Sequence, residues 1–471
     1  MKSVVNRASL LLVLVHLVGT IVAEPVKARA TLPPSDTTNK NSIHRDHRED
    51  VLLAQSTLPP HLRALDRENV SEAVPLIEQN WEREFEKYFQ TNFSNQSTSV
   101  RKIARILSNI GTQTGKKPAL VYMVPRPEQL EIVLIAPDGK VIHKRVKEAN
   151  REALLKQVRE LTVAITNPIY RSTNQYLSPA QKLYQWTIAP VEEDLKAQKI
   201  ETLIFCVGAG LRSAPFAAFH DGKQFLVEKY SFSRIPAFSL TNTVYADLRN
   251  SRVLAMGASE FPDQNPLPAV PIELSTIQKN LWQGKFFLNQ DFTLANLESQ
   301  QASQTYKIIH LATHAFFQAG EPSNSYIQFW NNKLTLDKMR QLHWENPPVE
   351  LLVLSACKTA IGDAQAELGF AGLAIQANVK SAVASLWNVS DEGTLALMTE
   401  FYRDLKTAPI KAEALREAQI AMIEGQVRIE KGQLHTSEGN IPLPPSLTEV
   451  ENQDFSNPYY WAAFTVVGSP W

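Results

Sequence analysis

KIIHLATHAFF, residues 307–317, and VELLVLSAC, residues 349–357, are nearly continuous apolar runs, and how they are read decides the fold. A strand with one face in water alternates apolar and polar side chains, whereas a strand covered on both faces has no reason to. Both runs are therefore expected as central strands. Shorter β-rich runs occur before them, IETLIFCVG (200–208) and SRVLAMGAS (251–259), and one after them, SAVASLWNV (381–389). Helical patterns intervene, among them LGFAGLAIQAN (368–378) and LALMTEFYRDL (395–405). This βαβα succession predicts an α/β fold with a mostly parallel sheet flanked by helices on both faces. In such sheets the working site lies at the carboxyl ends of strands.

Upstream, PALVYMVPRPEQLEIVLIAPDGKVIHKRV (118–146) reads as two or three strands with a hairpin turn at Asp138-Gly139. A polar helix is expected from about Asn150 to Thr166, and another through LSPAQKLYQWTIAPVEEDLKAQ (177–198). Residues 61–115 carry Val74, Ile77, Trp81, Phe85, Tyr88 and Phe89 at three- and four-residue spacing, which predicts a small helical lead-in. Residues 24–60, with the near repeats TLPPSD and TLPPHL, have no apolar period and read as a linker. The first 23 residues pair the basic MKSVVNR with the apolar run from Ala8 to Ala23. A spanning helix needs about 20 apolar residues, so this run suits a signal peptide better, cleaved after Ala23 or Ala30. The alternative is an uncleaved anchor. The expected location is periplasmic or extracellular, with no integral membrane domain after cleavage.

The 471 residues allow two or three domains, or one large α/β unit with an appendage. Lys plus Arg equals Asp plus Glu at 48 each, so no long-range field gathers nucleic acid or an anionic membrane surface. Only two cysteines occur, Cys206 and Cys357, too few for a disulfide framework. Cys206 lies inside an apolar run and reads as a small buried hydrophobe.

Cys357 has a different setting. It is expected to close one central strand, as His314 closes the other 43 positions earlier. Two parallel strands joined by one crossover would bring imidazole and thiol to the same rim. A thiol is a poor nucleophile at its free pKa of about 8.5 and needs a base beside it. Histidine can take the proton and later return it to a leaving amine. Backbone amides near Ala315 and Cys357 would then serve as an oxyanion hole. The plainer alternative is a packing cysteine and a hydrogen-bonded core histidine.

YKIIHLATHAFF (306–317), LLVLSACKTAIGD (351–363), the stretch from Glu367 to Leu405 and NPYYWAAFTVVG (457–468) together resemble the CHAT domain family of caspase-like peptidases, in order and spacing. LRSAPFAAFHDGKQFLVEKYSFS (211–233) and RVLAMGAS (252–259) look like that family too. The resemblance covers roughly residues 118–471. It implies a caspase-like sheet with a Cys-His dyad, His314 and Cys357, and cleavage of protein or peptide substrates through an acyl-enzyme. It implies neither metal nor cofactor. Ala315 stands where the family usually has Gly; it keeps its N–H but is less free at positive φ.

SLWNVSDEG (385–393) resembles a separase strand end at which an Asp helps accept a basic P1 side chain. Asp391 falls there, and Trp387 would wall the pocket or lie in the core. A carboxylate at the mouth favours Arg or Lys, but Asp is also a good N-cap for the helix that follows, and that reading stays open. Asp363 and Glu367 are further acidic candidates, or residues of a solvated loop. His310 and His314 lie in a strand, where the four-residue spacing of helical metal ligands does not apply; His310 reads as a core or supporting residue. The glycines of CVGAGLRSAPF (206–216) read as a tight turn. A catalytically inactive CHAT-fold module that binds protein partners is the second functional reading, supported by Ala315 and by the absence of an attached repeat domain. A regulatory protein partner is compatible with either.

Overall fold

A computed structural model describes residues 58–93, 98–359, 363–447 and 452–471. The side chains of Asn280 and of residues 356–359 lie outside that description, as do the expected leader (1–23) and residues 24–57 of the expected linker. Three helices lead in: α1 (Pro60–Asp66), α2 (Val70–Phe89) and α3 (Val100–Thr114). The Asn69 side chain accepts the Glu72 amide at the start of α2, and Ser99 accepts that of Lys102 at the start of α3. Such caps satisfy amides that have no partner within the helix. α2 buries the stripe from Val74 to Phe89 foreseen by its spacing. Its buried Glu78 accepts the Tyr122 hydroxyl at 2.7 Å and the Phe238 and Ser239 amides at 3.0 and 2.7 Å, which docks the helix on the sheet.

The chain then forms β1 (Pro118–Pro125), β2 (Leu130–Ile135) and β3 (Val141–Val146), an antiparallel meander. α4 (Arg151–Thr166), α5 (Leu177–Thr187) and α6 (Ala189–Ala197) precede β4 (Thr202–Val207), and α7 (Leu226–Lys229) precedes β5 (Ser231–Ile235). Next come β6 (Val253–Gly257), α8 (Val270–Ser275), β7 (Gly284–Leu288), α9 (Leu294–Ser303), β8 (Ile308–Phe317), β9 (Tyr326–Gln328), β10 (Lys333–Thr335) and β11 (Leu351–Thr359). α10 (Ala364–Ala371), α11 (Leu373–Ala377), β12 (Ser381–Ser385), α12 (Asp391–Asp404) and α13 (Lys411–Ile423) follow. β13 (Arg428–Glu430), β14 (Gln433–Thr436), β15 (Gly439–Pro442), β16 (Asn452–Asp454), α14 (Pro458–Trp461) and β17 (Phe464–Gly468) end the chain.

One sheet of 13 strands organises this α/β fold, in the order β10-β9-β8-β11-β12-β17-β5-β4-β1-β2-β3, with β6 and β7 joined to the first half of β8. β4, β5, β6, β12 and β17 are buried along their whole length. Successive strand residues face opposite sides, so both faces are covered. β7, β6, β8, β11 and β12 run parallel. So do β17, β5, β4 and β1. The two sets run in opposite directions, because β12 meets β17 antiparallel. A mostly parallel sheet flanked by helices is what the sequence indicates; the reversal is an addition to it. A separate antiparallel sheet, β15-β14-β13-β16, was not foreseen.

Two expectations about strand ends are corrected. β8 does not stop at His314, nor β11 at Cys357; they run on to Phe317 and Thr359. β9 is the reason for the first, since it folds back antiparallel on β8 with Ala315 opposite Ile327 and Phe316 opposite Tyr326. Beside this extension the β8–β11 register slips. Leu311 pairs with Leu354 but His314 with Ala356, so β8 holds one extra residue immediately before His314. A bulge of this kind redirects the side chains beyond it. Gly257 permits it: a Cβ there would lie 2.4 Å from the Ala312 carbonyl oxygen.

Candidate active site

Beyond the bulge, the His314 ring is only 8% exposed, its centroid 4.7 Å from that of Phe261. Its Nε2 lies 2.8 Å from the main-chain carbonyl oxygen of Asn265. A carbonyl can only accept, so Nε2 carries the proton and Nδ1 keeps a lone pair. Burial draws the His314 pKa below its ordinary value, and the Asn265 carbonyl, which favours the charged ring, opposes this in part. At neutral pH the imidazole is therefore uncharged and able to accept a proton at Nδ1.

Asn265 belongs to the loop between β6 and α8, and that loop is tied at several points. The Ala258 amide donates to Ala312 O at 3.2 Å, the Ser259 amide to Asn289 Oδ1 at 2.9 Å, and the Leu267 amide to Ser259 O at 2.9 Å. At its far end the Ala269 amide donates to Asp391 Oδ2. Asp391 is not the N-cap of α12: Ser390 is, its hydroxyl accepting the Gly393 amide at 3.0 Å. Asp391 sits one residue later, in the first turn, and reaches across to the loop instead. Burial pushes its carboxyl up to about 7; the Ala269 bond works against this, and the charges of Glu273 and Glu392 add to it.

Cys357 lies on the strand beside His314. In the parallel β8–β11 ladder Ala356 is opposite His314, and Cys357 opposite Ala315; the Cys357 side chain is outside the described residues. Adjacent strands lie about 4.8 Å apart. Ala315 is paired on both sides, with Cys357 and with Ile327 of β9. It is buried, and it is not among the described residues with positive φ, so its methyl group meets no left-handed requirement. The two amides expected as an oxyanion hole thus belong to paired strands, not to free loops.

Trp387 lies two residues past β12 and is 5% exposed, its Nε1–H donating to Tyr459 O at 3.0 Å. The Tyr459 hydroxyl returns a bond to Asn388 O at 3.0 Å, and the Arg171 guanidinium covers the Tyr459 ring at 3.7 Å. The segment leading to Asp391 is thereby pinned from α14. Residues 177–469 match the CHAT domain model. That is well over half of the sequence. The chain belongs to the CHAT domain family.

The CHAT match begins at α5, later than the resemblance that starts near Pro118, yet β1 pairs with β4 and so shares the CHAT sheet. Among solved structures, the chain is similar to separase in the separase–securin complex of Saccharomyces cerevisiae, at TM-score 0.44 and 9% identity, over 85% of this chain and 34% of that one. It therefore spans about a third of the separase chain's length. It is also similar to the Arg-specific cysteine proteinase gingipain R, at TM-score 0.35 and 10% identity, over 65% of this chain and 69% of that one. The complex of Porphyromonas gingivalis RgpB pro- and mature domains gives TM-score 0.36 and 10% identity over 68% and 75% of the two chains. Comparison with curated protein sequences gives no significant match.

The other candidates in this CHAT domain have structural partners. Asp363 caps α10, its Oδ1 accepting the Gln365 and Ala366 amides at 3.0 and 2.9 Å. Glu367 is 2% exposed and so not on a solvated loop; it accepts the Ser213 hydroxyl at 2.6 Å and the Gly210 amide at 2.9 Å, tying α10 to the turn after β4. Gly210 takes φ 94° there, the tight turn read from the sequence. Cys206 is buried, with its thiol against Pro236 O at 3.6 Å. His310 is fully buried, with Nδ1 at 3.0 Å from the Tyr402 hydroxyl and Nε2 at 2.8 Å from Glu273. The latter contact lacks hydrogen-bond alignment. Sequence reading missed Asn265, Phe261 and Tyr459. The first acts through its main chain, which leaves no mark on residue type; the third was legible only as one aromatic of the NPYYW run.

Proposed function

We propose that this CHAT protein is a cysteine endopeptidase with His314 and Cys357 as its catalytic pair. One observation carries the reading: an imidazole bonded through Nε2 to the Asn265 carbonyl, which leaves Nδ1 to take a proton, on the strand adjacent to that of Cys357. In the proposed reaction the Cys357 thiol passes its proton to His314 Nδ1 and the thiolate attacks the peptide carbonyl carbon. The oxygen takes up the charge, held by main-chain amides near Ala315 and Cys357. The imidazolium then protonates the leaving amine, and the carbonyl reforms as a thioester. Water, losing a proton to His314, hydrolyses it and frees the thiol. Asp391, with Trp387 as the fixed wall beside it, would receive a basic P1 side chain. Export by the first 23 residues is part of the proposal, and the amino terminus of the mature protein checks it.

The test is labelling with peptidyl acyloxymethyl ketones bearing Arg or Asp at P1. Labelling of Cys357 by the Arg reagent, lost in His314→Ala, is expected; labelling by the Asp reagent alone discards the Asp391 assignment. Ala315, paired on both sides where the family usually has Gly, favours a second reading, an inactive module that binds protein partners. Cys357→Ala with turnover lost and partner binding intact identifies the enzyme. Identical behaviour of variant and parent identifies the module.

A further inference from the structure

Asp391 stands at the junction of two structures that the proposed reaction needs at once. Its Oδ2 holds the Ala269 amide, at the end of the loop whose Asn265 carbonyl holds His314. Its Oδ1 has no hydrogen-bond partner among the described residues, and the charges that bear on the carboxyl, Glu273 of α8 and Glu392 of α12, are both acidic. His310 of β8 is occupied with Glu273, away from Asp391. A partly buried carboxylate between two others is poorly stabilised as an anion until a cation arrives.

Resting on the peptidase reading, we propose that Asp391 couples the binding of a guanidinium or ammonium side chain at its carboxyl to the setting of His314. The substrate's cation engages Oδ1. The carboxylate, now held in its charged form, makes a stronger charge-assisted bond from Oδ2 to the Ala269 amide. The loop from Ala258 to Ala269 tightens, and with it the Asn265 carbonyl that aims the imidazole. Asp391 thus binds substrate and is also a positioning residue for the base. A neutral or acidic P1 side chain would leave the loop slack, so selectivity would show in the rate of chemistry as well as in binding.

The carboxyl pKa of about 7 gives the direction of the pH effect. Below that value Asp391 is protonated until a cation binds, and a cation has most to change. Above it the carboxylate is already charged, and a cation adds little. The other ionisable groups nearby are Glu273, Glu392, His310 and His314; the His314 ring meets the loop at the Asn265 carbonyl, and the Glu273 main-chain amide donates to Ala269 O at 2.9 Å.

The experiment uses the full chain and iodoacetamide, a small neutral alkylating agent that brings no cation to Asp391. Alkylation of Cys357 is followed by mass spectrometry with and without methylguanidinium, against an equal concentration of sodium chloride. A coupling at the low end of those between binding sites predicts acceleration of about fivefold at ~pH 6, shrinking toward none at ~pH 8.5. Asp391→Asn should abolish the acceleration at both. Acceleration retained in the variant, or absent from the parent while Arg peptides are still cleaved, overturns the coupling and leaves the peptidase reading standing. Cys357 alkylated no faster than an ordinary thiol, with no peptide cleaved, overturns both. Should Asp391→Asn fail to fold, the parent decides: its alkylation rates, and the ring-nitrogen shifts of isotope-labelled His314, must respond to methylguanidinium at the lower pH or the coupling is wrong.

Discussion

The two halves of β8 place two histidines, four residues apart, in opposite circumstances. In the first half His310 is sealed between Tyr402 and Glu273, with no access to water. In the second half, past the extra residue at Ala312–Thr313, His314 has one firm partner, a main-chain carbonyl, and a second nitrogen left over. The difference is made by strand pairing. β6 covers the first half and positions α8 beside it; β9 covers the second, and the register slip between them changes the direction of the side chains. Equal residue type and near-equal burial therefore do not give equal chemistry. A histidine bound by two side chains is a structural member; one bound by a single carbonyl can exchange a proton.

That contrast can be broken in four ways. The largest effect is expected from His314→Ala, which should lower kcat on an Arg peptide by about 10³-fold or more while leaving the urea midpoint nearly unchanged, as loss of a general base requires. His310→Ala should do the reverse. Leaving the Tyr402 hydroxyl and Glu273 without their buried neighbour costs about 1–3 kcal/mol in urea denaturation, with kcat per folded molecule retained. Phe261→Ala would admit water to the His314 ring, relieving the burial that lowers its pKa. The acid limb of kcat/KM against pH should then move upward by as much as about one unit. The smallest effect is on stability. A carboxyl raised to about 7 in the fold costs nothing below its unfolded value, and its ionisation destabilises the fold progressively up to pH 7 and fully above it. Asp391→Asn, nearly isosteric, should therefore leave denaturation at ~pH 4 unchanged and raise stability at ~pH 8.

The central strands were legible because burial on both faces removes polar residues, and that signature survives in ILE-, LEU- and VAL-rich runs such as residues 351–354. The same signature is blind to direction. A buried strand reads alike whether its neighbour is parallel or antiparallel, so nothing in FTVVG (464–468) foretold the reversal at β17. At the site, His314 and Cys357 were marked by residue type and by their place on adjacent runs. Ser390 and Asp391 are both good helix caps in sequence, and only the register of α12 decides that the serine caps and the carboxylate turns toward Ala269. The small sheet β13–β16 has strands of three or four largely exposed residues, too short for any period to show.

β17 is made after every other strand of the large sheet, yet it is the seam at which the two oppositely directed sets are hydrogen-bonded together, to β12 on one side and β5 on the other. During synthesis each set must wait, with one flank unpaired, until Phe464–Gly468 has left the ribosome. The strands that carry His314 and Cys357 and the amino-terminal strands therefore become parts of one sheet only once that segment is in place.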